Sequence, residues 1–235
     1  MILKGLLGFI LGSILGSFSN VIVYRTRENI SIVTPNSFCE NCHYSISWYE
    51  KIPIISYIFL KGRCSNCNAK IGRKHFIIEL ASGVLLSIVF LFSDNRNELI
   101  FLTIIFPVVV SISLIDIEEL FIYDSMLMYI GIISLVFMLV NRNYEGIISF
   151  CVSCAIYFFI YTISNKAIGS GDILLSSLLA LNLTPLKLYY FVSISFILGG
   201  IVALVFLLLR KANKDSKLAF APFINISFFI VCTIL

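Results

Sequence analysis

Long apolar runs separated by short polar links dominate the 235-residue chain. A helix that crosses a bilayer needs roughly 20 predominantly apolar residues. By this measure the pattern predicts eight membrane helices, near residues 2–23, 76–92, 98–115, 126–140, 145–163, 172–184, 187–209 and 219–235. We therefore expect an all-α polytopic membrane protein with about eight transmembrane helices.

Composition supports the same fold class. Hydrophobic residues make up 59% of the chain and charged residues 13%, and the mean hydropathy is +1.00. Soluble domains carry about 25% charged residues, so this chain is typical of a membrane protein. One sizeable polar insertion interrupts the apolar pattern. We expect a first transmembrane helix at 1–23, the insertion at 24–75, and a membrane domain at 76–235.

The distribution of basic residues predicts the orientation, since loops rich in Lys and Arg stay in the cytoplasm. With eight crossings, the insertion shares its side with the links near 116–125, 164–171 and 210–218. That side carries thirteen basic residues: Arg25, Arg27, Lys51, Lys61, Arg63, Lys70, Arg73, Lys74, Lys166, Arg210, Lys211, Lys214 and Lys217. The other side carries four: Lys4, Arg96, Arg142 and Lys187. The insertion is therefore expected to face the cytoplasm.

The net charge of +4 favours contact of this basic face with anionic lipid head groups. Nucleic acid is not an expected partner, because no segment alternates aromatic and basic residues as a binding face would.

The insertion contains two Cys-x-x-Cys pairs. Cys39 and Cys42 form the first and Cys64 and Cys67 the second, with 21 residues between them. Two such pairs at this separation are typical of a zinc ribbon, in which four thiolates bind one tetrahedral ion. Two alternatives stay open: a thiol-exchange pair, which would make the protein a membrane thiol oxidoreductase, and four thiols without metal.

Acidic residues inside membrane segments are costly and therefore informative. Asp116 closes the apolar run of the third predicted helix, and Asp172 opens the sixth, so both are expected at the cytoplasmic face. Gly169 and Gly171 precede Asp172, and without a Cβ they would let another backbone approach closely. Asp124 is a secondary candidate, with a predicted structural role as the N-cap of the fourth helix.

Two carboxyl groups brought together in a low-dielectric site share one proton, which is the arrangement of aspartic peptidases. This chemistry needs no metal. The residues alone leave two alternatives open: both acids cap helix ends, or they bind cations in a transporter.

Five blocks of the sequence resemble the type 4 prepilin peptidases, also called leader peptidase/N-methyltransferases. The blocks are "GLLGFILGSILGSFSNVIVYR", the four-cysteine segment "PNSFCENCHYSISWYEKIPIISYIFLKGRCSNCNAKIGRKHFIIEL", "IDIEELFIYD", "GSGD" and "LAFAPFI". They follow one another in the family's order through nearly the whole chain. "IDIEELFIYD" and "GSGD" resemble the segments that carry the family's catalytic aspartates, at Asp116 and Asp172 here.

The resemblance implies cleavage of the leader peptide of type 4 prepilins or pseudopilins on the cytoplasmic side of the bacterial cytoplasmic membrane. It also implies methylation of the new N-terminal residue with S-adenosylmethionine, an activity associated with the insertion at 24–75. No glycine-rich Rossmann fingerprint accompanies that second activity. The expected partners are these substrates and membrane lipids.

Two positions depart from the family pattern. Tyr123 stands where the family commonly has proline, and Leu174 stands where it often has lysine. The missing lysine removes any role of its charge but leaves the acid pair intact.

Overall fold

The computed structural model describes residues 1–164, 168–209 and 218–234. Those residues form a short 3-10 helix at Trp48–Lys51 and nine α-helices. The α-helices are α1 (Ile2–Arg27), α2 (Ile55–Phe59), α3 (Arg73–Phe92), α4 (Arg96–Glu119), α5 (Asp124–Val140), α6 (Glu145–Ile163), α7 (Ser170–Ala180), α8 (Pro185–Leu208) and α9 (Ala221–Ile234).

The all-α fold class is confirmed, and each predicted membrane segment coincides with a helix. Five of these helices, α1, α3, α4, α6 and α8, have the length and apolarity needed to cross a membrane. The helices α5, α7 and α9 are apolar but shorter. Helix α7 has 11 residues and rises about 16 Å, about half of a hydrocarbon core.

The predicted sixth segment ends earlier than expected, at Ala180 instead of residue 184. The next helix explains the difference. Thr184 is the N-cap of α8, its Oγ1 accepts a hydrogen bond from the N–H of Lys187, and Pro185 occupies the first helical position. A cap followed by proline starts a new helix, so residues 181–184 form the link.

Part of the charge argument lies beyond what the structure covers. Five of the counted basic residues lie outside the described residues: Lys166, Arg210, Lys211, Lys214 and Lys217.

The chain divides into two compact units, Met1–Asp94 and Asn95–Leu235. In the first unit, α1 and α3 form an antiparallel pair whose backbones lie very close together. A Cβ built on Gly12 would overlap the Ser82 carbonyl oxygen, and one on Gly8 would lie 2.8 Å from the Leu86 carbonyl oxygen. Only glycine permits this approach, as in closely packed membrane helices. The polar insertion, with α2 and the 3-10 helix, connects the pair.

The second unit contains α4 to α9, and α4 is the most buried of the five long helices. Helices α9 and α5 pack on α4, while α7 contacts α5, α6 and α9. An aromatic core joins them: Phe106 meets Phe229 edge to face at 5.6 Å, and Phe101 meets Phe228 at 6.2 Å. Such edge-to-face pairs stabilise the packing of large rings. This packing fixes the ends of α4, α7 and α9, where the candidate site lies.

Candidate functional site

Asp116 lies in the last turn of α4 and is only 5% exposed. Its Oδ2 accepts a hydrogen bond of 2.9 Å from the backbone N–H of Ala221, the first residue of α9. The backbone N–H of Phe220 also donates to this carboxyl group. The N–H groups at a helix start carry partial positive charge, so they stabilise a carboxylate. Asp116 therefore receives its local support from the N-terminus of α9.

Asp172 lies in the first turn of α7 and is also 5% exposed. Its two oxygens have different surroundings. Oδ2 accepts a hydrogen bond of 3.1 Å from the backbone N–H of Gly169, which makes it part of the helix cap. Oδ1 is buried and has no hydrogen-bond partner among the residues that the structure describes. A buried unpartnered carboxylate oxygen is rare and marks a position where a further group is expected to bind.

The structure places the two predicted acids near each other: both are buried, and Asp116 is close enough for its charge to influence Asp172. Asp172 also interacts electrostatically with Tyr157, a fully buried residue of α6. The Tyr157 hydroxyl lies 2.8 Å from Oγ of Ser195 in α8. The pair is therefore enclosed by α4, α6, α7 and α9 in a site with little access to bulk water.

The neighbouring glycines differ in their surroundings. A Cβ on Gly171 would lie 3.1 Å from Cβ of Ile122, in the link that follows α4. A Cβ on Gly169 would meet the carboxyl group of Asp172 at 3.2 Å. At Gly171 the approaching group is therefore the chain's own Ile122, while substrate approach at either glycine stays a prediction.

The predicted N-cap role of Asp124 is wrong by one position. Helix α5 begins at Asp124 itself, and Tyr123 occupies the cap position with an extended backbone. Asp124 instead lies in the first turn, where a negative charge is favourable to the helix dipole.

The four cysteines of the insertion lie on two knuckles with the same backbone pattern. In the first, the N–H of Cys39 donates to the carbonyl of Tyr44, and the N–H of His43 donates to the carbonyl of Cys39. In the second, Cys64 pairs with Ala69 and Asn68 with Cys64 in the same way. The residue after each second cysteine is left-handed, with φ of 55° at His43 and 57° at Asn68. Each knuckle thus turns its two thiols in one direction.

All four Sγ atoms lie within 4.8 Å of one another, and Cys39 and Cys67 are 3.9 Å apart. A zinc ion with Zn–S bonds of about 2.3 Å in tetrahedral geometry separates its sulfurs by roughly 3.8 Å. The side-chain amides of Asn41 and Asn66 donate to the sulfurs of Cys67 and Cys42, at 3.6 and 3.7 Å. The cluster therefore has the spacing and the supporting hydrogen bonds of a structural zinc site.

The thiols also differ in acidity. Burial raises the pKa of Cys39 to about 11. The backbone N–H of Ala69 and the side-chain amide of Asn41 lower the pKa of Cys67 to about 6. Metals bind thiolates, so Cys67 is prepared to ligate at neutral pH.

Two parts of the aspartate site were not foreseen from the sequence. The segment "LAFAPFI" contributes the backbone N–H groups of Phe220 and Ala221. The pattern of side chains in the sequence does not predict this backbone contribution. Tyr157 lay in an apolar run where a single tyrosine is ordinarily a packing residue. Proline at position 222, just inside the start of α9, is the one sequence signal that a helix N-terminus lies there.

Fold and site together define a polytopic membrane protein with a buried aspartate pair and a four-cysteine cluster. Comparison with known proteins identifies its family. The profile of the bacterial peptidase A24 N-terminal domain matches residues 10–93, and that of the type IV leader peptidase family matches residues 100–204. The chain belongs to the type IV leader peptidase family.

Several similar proteins are named "Prepilin leader peptidase/N-methyltransferase". The one from Vibrio cholerae is 28% identical, and the alignment covers 94% of this chain and 93% of the relative. The one from Stutzerimonas stutzeri is 26% identical over 94% of this chain and 88% of the relative. A third, from Myxococcus xanthus, is 40% identical over 77 residues, which cover 33% of this chain and 23% of the relative. No solved structure matches the chain.

Proposed function

We propose that the protein is a membrane aspartic endopeptidase that cleaves the leader peptide of type 4 prepilins or pseudopilins, with Asp116 and Asp172 as its catalytic residues. The main support for this proposal is the buried pair of aspartates. Two carboxyl groups from distant parts of the chain interact in one enclosed site, and Oδ1 of Asp172 has no partner among the described residues. Helix capping explains why Oδ2 of Asp172 is buried, but it does not explain the burial of Oδ1.

The proposed hydrolysis follows the general chemistry of a shared-proton pair. The ionised aspartate takes a proton from water as the water oxygen attacks the scissile carbonyl carbon. The protonated aspartate donates its proton to the carbonyl oxygen, which gives a tetrahedral intermediate. Its collapse breaks the C–N bond: the departing amine takes the proton that the first aspartate gained from water, and a hydroxyl proton of the intermediate returns to the second aspartate. The N–H groups of Phe220 and Ala221 keep Asp116 in place during these transfers.

The site is proposed to face the cytoplasm of a bacterial cell. Eight basic residues between Tyr24 and Lys74 support this orientation through the positive-inside rule. Methylation of the newly formed N-terminal amine, with S-adenosylmethionine as donor, is proposed as a second activity because the full-length relatives carry that name. Zinc at Cys39, Cys42, Cys64 and Cys67 is proposed to hold the insertion together.

The peptidase assignment is tested by co-expression with a pilin-like precursor and mass spectrometry of the mature N-terminus. Asp116→Asn and Asp172→Asn are each expected to lower the cleavage rate by about 10²–10⁴-fold, the usual contribution of general acid–base groups. Asp124→Asn is the matched control, since it removes an acid from the first turn of α5, and its cleavage rate is expected to stay near wild type. Normal cleavage by either of the first two variants would overturn the aspartate pair. Complete loss in a stable Asp124→Asn protein would move the assignment to Asp124.

A further inference from the structure

The four-cysteine insertion carries an apolar surface on the outside of its 3-10 helix and of α2. This surface, the outer patch, consists of six exposed large side chains: Trp48, Tyr49, Ile52, Ile55, Ile58 and Phe59. The 3-10 helix and α2 contact each other, and the rings of Trp48 and Tyr49 meet edge to face at 5.9 Å. Trp48 is 78% exposed and Phe59 is 82% exposed. Soluble domains seldom expose so many large apolar side chains together, so the outer patch indicates an interaction surface.

Helix α2 turns its more polar face inward. Ser56 and Tyr57 line a cavity inside the first unit, whereas Ile55, Ile58 and Phe59 are exposed. Residues three and four positions apart lie on the same face of a helix, so these three apolar side chains share the outward face. A helix on a protein surface in water shows the opposite arrangement, with its apolar stripe against the core. The sequence of α2 therefore suits apolar surroundings on its outer side.

Two contacts hold α2 against the side of the membrane helix α3. The N–H of Ile54, the residue before α2, donates a hydrogen bond of 2.7 Å to Oε2 of Glu79. The rings of Tyr57 and Phe76 lie 5.1 Å apart. Helix α3 begins at Arg73, so Glu79 lies about 9 Å along the helix axis from its start. Helix α2 therefore lies beside the first two turns of α3, and not beyond the end of that helix.

The surface of α3 at this level is typical of the boundary between lipid head groups and acyl chains. Arg73 and Lys74, at the start of the helix, are exposed, as are basic side chains that reach toward phosphate groups. Ile77 and Leu80, close to Glu79 in the chain, are also exposed, as expected of side chains that face lipid. The outward face of α2 therefore lies at the depth of this boundary.

The residue types of the outer patch and its ends fit the same surroundings. Tryptophan and tyrosine are enriched where membranes meet water, because their rings are apolar and carry one polar group. Lys51 and Lys61 lie at the two ends of α2 and its preceding link, and both are exposed. Basic residues beside an apolar face that contains aromatic rings are typical of segments that lie in the membrane interface.

We propose that the outer patch inserts into the interface of the lipid bilayer and anchors the four-cysteine insertion to the leaflet in which α1 ends and α3 begins. Its apolar side chains enter the boundary between head groups and acyl chains to a depth of about 5–10 Å. Lys51 and Lys61 contact the phosphates of anionic lipids. The insertion is thereby held beside the membrane helices. This anchoring does not depend on the aspartate chemistry, and its test does not use cleavage as a readout.

Trp48 is the single tryptophan of the chain, so its fluorescence reports the surroundings of the outer patch directly. The full-length protein is reconstituted in vesicles of phosphatidylcholine and phosphatidylglycerol. Quenching by lipids with brominated acyl chains is compared with quenching by acrylamide in the water. We expect a blue-shifted emission, strong quenching by bromines placed near the head groups, and weak quenching by acrylamide. Strong acrylamide quenching without bromolipid quenching would overturn the proposal. Protection from both quenchers would overturn it in favour of a protein partner at this surface.

A charge placed in the outer patch gives a second test. Phe59→Asp is expected to lose most of the bromolipid quenching of Trp48 and to gain acrylamide quenching, because a carboxylate opposes insertion into the membrane. Phe59→Leu keeps an apolar side chain and should behave like wild type. Val33→Asp is the matched control, since Val33 belongs to the same insertion, is 84% exposed and lies outside the outer patch. Unchanged quenching in Phe59→Asp, or an equal loss in Val33→Asp, would contradict the anchoring role.

Discussion

The two units of this protein differ in what packs most of their helices together. In the first, two helices touch through glycines, and the polar insertion between them has few buried apolar side chains of its own. In the second, the buried helix α4 and its neighbours pack through large, fully buried rings, such as Phe106 of α4, Phe191 of α8 and Phe228 of α9. Close backbone packing tolerates no added atom, whereas a core of large side chains tolerates no removed one. The same apolar composition therefore produces two kinds of sensitivity.

The candidate functional groups of the two units are also held in place in different ways. The aspartate pair of the second unit is held by backbone N–H groups at helix ends, so its geometry follows from helix packing. The cysteine cluster of the first unit is held by two local knuckles, and its four Sγ atoms lie within 4.8 Å of one another, close enough to bind one metal ion. Experiments that remove the proposed metal ion, add a methyl group or remove a charge should therefore affect the two units differently.

The largest expected effect follows loss of the metal. Wild-type protein is expected to contain about one zinc per chain, and Cys67→Ser should lose nearly all of it, because structural zinc supplies the folding energy of small knuckles. Metal content by elemental mass spectrometry and tryptic cleavage at Arg63 and Lys70 report the change. The Asp116 site should continue to cleave precursor.

Cys151→Ser provides the control, since Cys151 is an exposed thiol of α6 and lies outside the cluster. Its metal content should equal that of wild type. A metal-free wild-type protein whose insertion resists trypsin would show that the four thiols are inert.

A medium effect is expected from a single methyl group between α1 and α3. Gly12→Ala places a Cβ that overlaps the Ser82 carbonyl oxygen and lies 2.8 Å from Cβ of Leu86 and 2.9 Å from Cα of Gly83. Neither backbone atom can move alone, so the helices must separate, at a cost of about 1–3 kcal/mol. Thermal unfolding in detergent should show a lower Tm.

Gly200→Ala in α8 is the control, at a glycine of the second unit without a close contact, unlike Gly146, where a Cβ would overlap the Leu181 carbonyl oxygen. A Cβ there meets no heavy atom within 4 Å among the described residues, and alanine favours a helix by up to about 1 kcal/mol over glycine. Its Tm should stay the same or rise. Equal losses from Gly12→Ala and Gly200→Ala would refute the importance of the close glycine contact between α1 and α3.

Local pattern predicted much of this molecule, and non-local geometry accounts for the rest. Apolar runs located the helices, and the Cys-x-x-Cys spacing located the four thiols. The close contact of α1 with another helix could also have been predicted, since Gly8, Gly12 and Gly16 recur every four residues.

The hydrogen bond to Asp116 could not be predicted from the sequence, because its donor is a backbone N–H that lies 105 residues away along the chain. The sequence did not predict the different surroundings of the two Asp172 oxygens for a similar reason. The cap at Gly169 is local, but the surroundings of Oδ1, which has no partner among the described residues, come from α4, α6 and α9. Periodicity and spacing describe neighbours along one helix, and this site is made where several helix ends meet.

The smallest expected effect concerns two lysine–carboxylate pairs, one in each unit. Lys187 and Glu98 are 3.3 Å apart with side chains 24% and 19% exposed, whereas Lys4 and Asp94 are 3.6 Å apart with side chains 59% and 97% exposed. Solvent screens the second pair almost completely, so Lys4→Met should leave Tm unchanged. Lys187→Met should cost about 1 kcal/mol, because Glu98 would lose its partner in a half-buried setting. Thermal unfolding at low and at high salt measures both, and only the Lys187 effect should persist in high salt. A larger loss from Lys4→Met would mean that the first unit depends on surface charge in addition to its glycine contact.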